Sequence, residues 1–150
     1  MTAEQMWAEF AAKNNLSDTD WEAWAFGDDT DGLARLTLEG IKTATSSALP
    51  SYELEGEPLP EAGEYSVILN SQGEAVCVIR TTRVYTVPFD QVSAEHARRE
   101  GEGDRSLAHW RQVHEAFFAR ELAEAGLVFG EDLPVVCEEF RRVWPDQGGS

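Results

Sequence analysis

Lys42 stands in the stretch EGIKTATSSALPSY, residues 39–52, among the hydroxyl residues Thr43, Thr45, Ser46 and Ser47. It is one of two lysines in the chain; the other ten basic residues are arginines. A lysine gives up its proton when desolvated, whereas an arginine effectively cannot. A neutral lysine is a base suited to activating Thr43, Thr45 or Ser46 as a nucleophile. A carboxylate nearby would then carry the proton to a leaving amine. The plainer alternative is an exposed lysine on a strand. Residues three apart face opposite sides of a regular strand, so Lys42 and Thr45 converge only if the chain bends there.

A second charged stretch, HARREGEGDRS at residues 96–106, is broken by glycines. It reads either as a solvated loop after a helix stop or as a site loop supplying Glu100 or Asp104. The run that follows, residues 106–126, has helical periodicity. At about 100° per residue, Leu107, Trp110, Phe117, Phe118 and Leu122 share one wide arc. His114 falls near its middle, and Arg111 and Glu121 lie inside it. Buried polar groups in such a stripe need partners. They are either a satisfied core histidine with an ion-paired arginine, or the polar floor of a pocket.

Metal chemistry has little support. His109 and His114 lie about 140° apart on a helix and do not share an ion, and His96 is the only other histidine. The acids of FGDDTDG, residues 26–32, either bind Mg²⁺ or Mn²⁺ loosely or cap a helix.

Helices and strands must position these groups. Thr2 and Gln5 form a capping-box pattern and predict a helix to about Asn14. SDTDWEAWAFGDD (17–29) predicts a short second helix stopped at Gly27, and DTDGLARLTLEG (29–40) a third stopped at Gly40. After Gly40 the composition turns strand-like. EYSVILN (64–70) and AVCVIRTTRVYTV (75–87) read as a hairpin across SQGE. SAEHARREG predicts a short helix between a Ser93 cap and a Gly101 stop. The long helix follows, and LPVVCEEFRRVW (133–144) is a closing strand. This order predicts an α+β fold with a partly closed β-barrel. Neither repeats nor linkers interrupt it, so residues 1–150 are expected to form one domain. Its N-terminal helices, about 1–40, would pack on the barrel, and residues 145–150 would form a flexible tail. GxGxxG and P-loop patterns are absent.

The 150 residues carry a formal charge of -16, with twelve basic against 28 acidic side chains. Duplex DNA and anionic membranes demand broad basic faces, so the expected partner is a small molecule; solubility is the blander reading of the charge. Cys77 and Cys137 sit in apolar runs and read as buried free thiols. With no signal peptide and no apolar run of membrane length, a cytoplasmic location is expected.

LEGIKTATSS, the hairpin LPEAGEYSVILNSQGEAVCVIRTT, HARREGEGDRSLAHWRQVHEAFF and VVCEEF together resemble the longer bacterial branch of the ASCH-domain family, from about Phe26 to Val143. The resemblance implies a small PUA-like β-barrel flanked by N-terminal helices and a long helix from the C-terminal half. Short relatives hydrolyse N4-acetylcytidine, with a catalytic Lys and Thr in the K-T-x-T element and a Glu in H-A-x-x-E. By similarity those roles fall on Lys42, Thr45 and Glu100, without a metal or other cofactor. Ser46, Arg80, Trp110 and His114 are candidates for holding the substrate. The alternatives carried by the family are a Mg²⁺- or Mn²⁺-dependent ribonuclease on single-stranded RNA, and a non-catalytic RNA- or nucleotide-binding module. The N-terminal helices and long helix depart from the short relatives and bear on which acyl-nucleoside fits.

Overall fold

A computed structural model describes residues 1–145. The predicted flexible tail therefore lies outside the described residues, apart from Pro145. Thr2 and Gln5 do close a capping box on α1 (Ala3–Asn14). Met6, Trp7 and Phe10 of α1 pack on Val67 and Val78 of the sheet, with Trp21 and Tyr65 beside them.

The second segment differs from expectation. Trp21–Ala25 is a strand, β1, rather than a helix. The spacing of Trp21 and Trp24 imitates a helical face, but on a strand it sends the rings opposite ways. Trp21 stacks on Trp7 of α1, while Trp24 packs against Phe26. The pairing that fixes β1 is long-range: it lies parallel to a strand some forty residues later.

α2 (Thr30–Leu38) is capped by Asp29, whose carboxylate accepts from the Gly32 amide; of the other acids of FGDDTDG, Asp28 pairs with Arg120 and Asp31 accepts from Ser71. β2 (Ala44–Ala48) leads into α3 (Leu49–Glu55), a helix absent from the expectations. β3 (Tyr65–Leu69) and β4 (Ala75–Pro88) form the expected hairpin. A short 3-10 turn at Phe89–Gln91 precedes α4 (Ala94–Glu100), then α5 (Leu107–Glu124) and β5 (Pro134–Trp144).

The sheet order is β1-β3-β4-β5-β2, parallel only at β1–β3. It curls into a half-barrel with five helices around it, the α+β architecture expected. Phe89, Trp110, Phe118, Leu122 and Val135 form a core between α5 and the sheet. β2 is an edge strand, and the K-T-x-T segment runs from the bend before it, at Lys42 and Thr43, into its first residues, Ala44 and Thr45.

Candidate functional site

The bend before β2 is built from backbone contacts. The amides of Ile41 and Lys42 both donate to the Leu36 carbonyl at the end of α2. The Thr43 amide donates to the Arg99 carbonyl of α4, and the Thr43 carbonyl accepts from Phe140 of β5. α4 is capped by Ser93 and ends at Gly101, whose φ is +74°. A β-carbon on Gly101 would lie 2.9 Å from the Ile41 carbonyl oxygen. The end of α4 therefore sits directly against the bend, and it brings Glu100 to Lys42.

Both side chains are almost fully buried, Lys42 at 2% exposure and Glu100 at 1%. Lys42 Nζ lies 3.3 Å from Glu100 Oε1 and 3.1 Å from Glu102 Oε2, and 5.2 Å from the ring centre of Phe26. The opposite oxygen of Glu100, Oε2, accepts from Ser46 Oγ at 2.6 Å and from the Trp110 indole N–H at 2.5 Å. His96 Nε2 is 2.7 Å from Ser46 Oγ and 3.1 Å from Oε2. His96 Nδ1 is buried without a partner. The hydrogen bonding of the ring therefore runs through Nε2, which faces both Ser46 and Glu100. His114 completes the shell: it stacks on Trp110, its Nδ1 lies 2.9 Å from the Trp110 carbonyl, and its Nε2 is 3.4 Å from Glu100 Oε1.

The electrostatics follow from these contacts. Burial works to raise the Glu100 carboxyl. The Lys42 ammonium and the hydrogen bonds from His114 and His96 outweigh it, and hold the group well below the usual carboxylate range. Burial works to lower His114, but its bond to Glu100 and the Glu100 charge leave it raised. Among the described residues, Glu100, Glu102 and His114 place ligand atoms within 4.8 Å of one another. In this arrangement Lys42 Nζ stands 3.3 Å and 3.1 Å from those two carboxylates, a charge that opposes a cation there.

Beyond Ser46 and Phe26 opens a cleft of about 770 Å³. Thr45, Ser46 and Ser47 form one edge, and Trp24, Phe26, Tyr52 and Phe117 supply flat apolar surface. Seven glutamates line it (Glu22, Glu55, Glu57, Glu64, Glu121, Glu124 and Glu138), and neither a lysine nor an arginine is among its described lining.

The candidate residues fall into three groups. Lys42, Glu100, Ser46, Trp110 and His114 converge on one carboxylate. Thr45 is at the cleft but on the other face of β2: it pairs with Glu138, whereas Ser46 pairs with Cys137. Thr45 makes no side-chain hydrogen bond among the described residues. Arg80 lies elsewhere, its guanidinium 5.1 Å from the ring centre of Tyr65 in the α1 cluster. Trp110 is 3% exposed and its indole N–H is committed to Glu100, so it supports the acid and does not face the cleft.

The sequence reading missed Glu102, naming Asp104 from the same loop; Asp104 accepts from the Ser106 amide at the start of α5. It also missed Glu138. The alternation Val136-Glu138-Phe140, with apolar neighbours on both sides, was the available signal that Glu138 points inward. Arg111 and Glu121 do not join the site carboxylate: Arg111 donates to the Asp90 carbonyl, and Glu121 accepts from Ser51. Both cysteines are buried free thiols pushed up to about 12 by burial, which disfavours the reactive thiolate.

The model of the ASCH domain matches residues 22–144. The chain belongs to the ASCH domain family. Its fold is accordingly PUA-like. The crystal structure of an ASCH domain from Lactobacillus crispatus JV V101 is 33% identical, with a TM-score of 0.88 over 93% of this chain and 92% of that one. A protein from Enterococcus faecalis V583 is 38% identical, with a TM-score of 0.86 over 93% of this chain and 86% of that one. Among curated proteins, none matches significantly. Among the described residues of this ASCH domain, no helix is long and apolar enough to cross a membrane.

Proposed function

We propose that this ASCH domain hydrolyses the amide of a modified nucleoside, with N4-acetylcytidine the first substrate to test. The observation that carries the reading is the buried Lys42–Glu100 pair, 3.3 Å apart, next to a cleft edged by an uncommitted threonine hydroxyl.

One proton serves both catalytic tasks. At rest it sits on Lys42, opposite ionised Glu100. Its transfer to Glu100 gives a neutral amine and a protonated acid together. Thr45 lies on the other face of β2 from Ser46, so its hydroxyl must turn towards Lys42 when substrate binds; the amine then accepts its proton as the threonine oxygen attacks the acyl carbon. Glu100 protonates the departing N4 amine, which leaves as cytidine, and the pair is again ammonium and carboxylate. Water completes the cycle: Glu100 accepts its proton as it attacks the threonine ester, Lys42 returns a proton to the Thr45 oxygen, and acetic acid departs. β2 is an edge strand, so backbone N–H groups on its unpaired side are available to the developing oxyanion. Ser46 donates to Glu100 and is paired with His96, so it orients the acid and leaves attack to Thr45.

The acid-lined cleft favours a small uncharged ligand over polyanionic RNA, and the Lys42 ammonium between two carboxylates opposes a metal-dependent route. Incubation with N4-acetylcytidine and, separately, single-stranded RNA, each with and without EDTA, tests this. Release of cytidine that persists in EDTA supports the proposal. RNA cleavage abolished by EDTA, without cytidine release, would replace it with a metal-dependent ribonuclease.

A further inference from the structure

Glu138 is the only buried one of the seven glutamates that line the cleft, at 7% exposure. A carboxyl buried without a cation is expensive, yet among the described residues the groups that shift this one are Thr81, Glu22 and Glu64, none of them basic. Its Oε2 accepts from Thr81 Oγ1 of β4 at 2.7 Å. Glu22 of β1 and Glu64, just before β3, face it with like charge, and Tyr52 of α3 lies close enough to feel its charge. Across the ladder its direct partner is Thr45, and directly opposed residues of an antiparallel pair share one face of the sheet. Structural need does not explain a carboxyl here, since an amide would bond Thr81 equally well.

We propose that Glu138 is the specificity residue of the cleft: with Oε2 held by Thr81, Oε1–H donates to the ring-nitrogen acceptor of a pyrimidine whose exocyclic nitrogen lies at the β2 edge. Cytosine presents such an acceptor at N3, and uracil presents a donor there. The proton this requires is favoured by the surroundings, because burial, with Glu22 and Glu64, raises the group despite the Thr81 bond. The protonated carboxyl therefore selects cytidine at low pH. As pH rises through its folded value it becomes an acceptor only, and the preference fades. The identity of the ligand rests on the reading of the preceding subsection, but binding does not require turnover.

The test is calorimetric titration of the whole chain with cytidine and with uridine from pH 5 to pH 8. Wild type is expected to prefer cytidine by about tenfold or more at the acid end, the scale of one unmatched buried hydrogen bond, and to lose that preference at the alkaline end. Glu138→Gln, whose NH₂ is a permanent donor and whose carbonyl still accepts from Thr81, is expected to keep the preference at every pH. Glu138→Ala is expected to bind both nucleosides alike. Equal binding of cytidine and uridine by wild type at the acid end overturns the proposal. So does a Glu138→Gln profile that still follows pH as wild type does. Should Glu138→Ala not fold, the Gln variant decides alone. Cytidine selectivity without any hydrolysis of N4-acetylcytidine would sink the amidohydrolase reading and leave this one standing.

Discussion

Lys42 Nζ and Glu100 Oε1 meet at 3.3 Å with both side chains essentially out of solvent. Such a pair is costly to break from one side, because the surviving charge stays buried. Lys42→Met is expected to lower stability by about 3–5 kcal/mol on that ground. Adding Glu100→Leu to the same chain should restore part of the loss. Urea denaturation of the two single variants and the double variant measures the coupling; strictly additive losses would mean that the pair is not an energetic unit.

Gly101 holds the geometry of that pair through its backbone. Its φ of +74° and the 2.9 Å approach of an added β-carbon to the Ile41 carbonyl both oppose a side chain. Gly101→Ala is expected to cost about 1–2 kcal/mol for the left-handed conformation alone, with the clash adding to it. Turnover should fall further than the population of folded protein does, since Glu100 is displaced from Lys42. A variant as stable and active as wild type would show that the end of α4 does not set the pair.

The pH dependence of stability has two limbs. Glu100 is lowered in the fold, so its contribution is present above its ordinary value of 4.5 and is lost as pH falls through the folded value. His114 is raised, so its contribution is complete below its ordinary 6.5 and is lost as pH rises through the folded value. Glu138, also raised, adds to the loss with rising pH above 4.5. Melting temperatures from pH 3 to pH 9 should therefore show a flattened acid limb in Glu100→Gln and a flattened limb above neutrality in His114→Gln. Parallel curves for wild type and His114→Gln would contradict the assigned His114–Glu100 interaction.

Thr45 and Ser46 are adjacent hydroxyls with opposite roles in this account. Thr45→Ala is expected to reduce turnover of N4-acetylcytidine by at least about a hundredfold with stability nearly unchanged, as for loss of a nucleophile. Ser46→Ala removes a hydrogen bond to a buried carboxylate and is expected to cost about 1–3 kcal/mol, with a smaller loss of turnover per folded molecule. Steady-state kinetics and denaturation on both variants decide the matter. The reverse ranking of the two activities would make Ser46 the nucleophile.

What the sequence could show depended on whether the signal was local. Caps and stops lie within a turn of the elements they bound, so Thr2, Ser93 and Gly101 marked the ends of α1 and α4 correctly. The β3–β4 hairpin was legible for the same reason. β1 was not, because its sheet partner among the described residues is the distant β3 and its two tryptophans serve separate clusters on opposite faces. The K-T-x-T and H-A-x-x-E patterns drew attention to Lys42, Thr45 and Glu100. They did not reveal that Thr45 and Ser46 would part company across the edge strand, because that depends on the phase in which the bend releases the chain into β2. Nor did they reveal Glu102, which becomes a partner of Lys42 only when the end of α4 is laid on the bend. The aromatic arc of α5 correctly anticipated burial of Trp110 and Phe118. That His114 and Trp110 would both serve one carboxylate needed the neighbouring helix.

The central claim is that the Lys42–Glu100 pair moves the protons of amide hydrolysis. The most direct measurement is cytidine release from N4-acetylcytidine, in EDTA, by wild type and by Lys42→Met, with circular dichroism confirming that each sample is folded. The account predicts steady release by wild type and a loss of at least about a hundredfold in the variant, the scale of a missing acid–base group. Absence of release by concentrated wild-type protein, or a folded Lys42→Met variant within twofold of wild type, would contradict it.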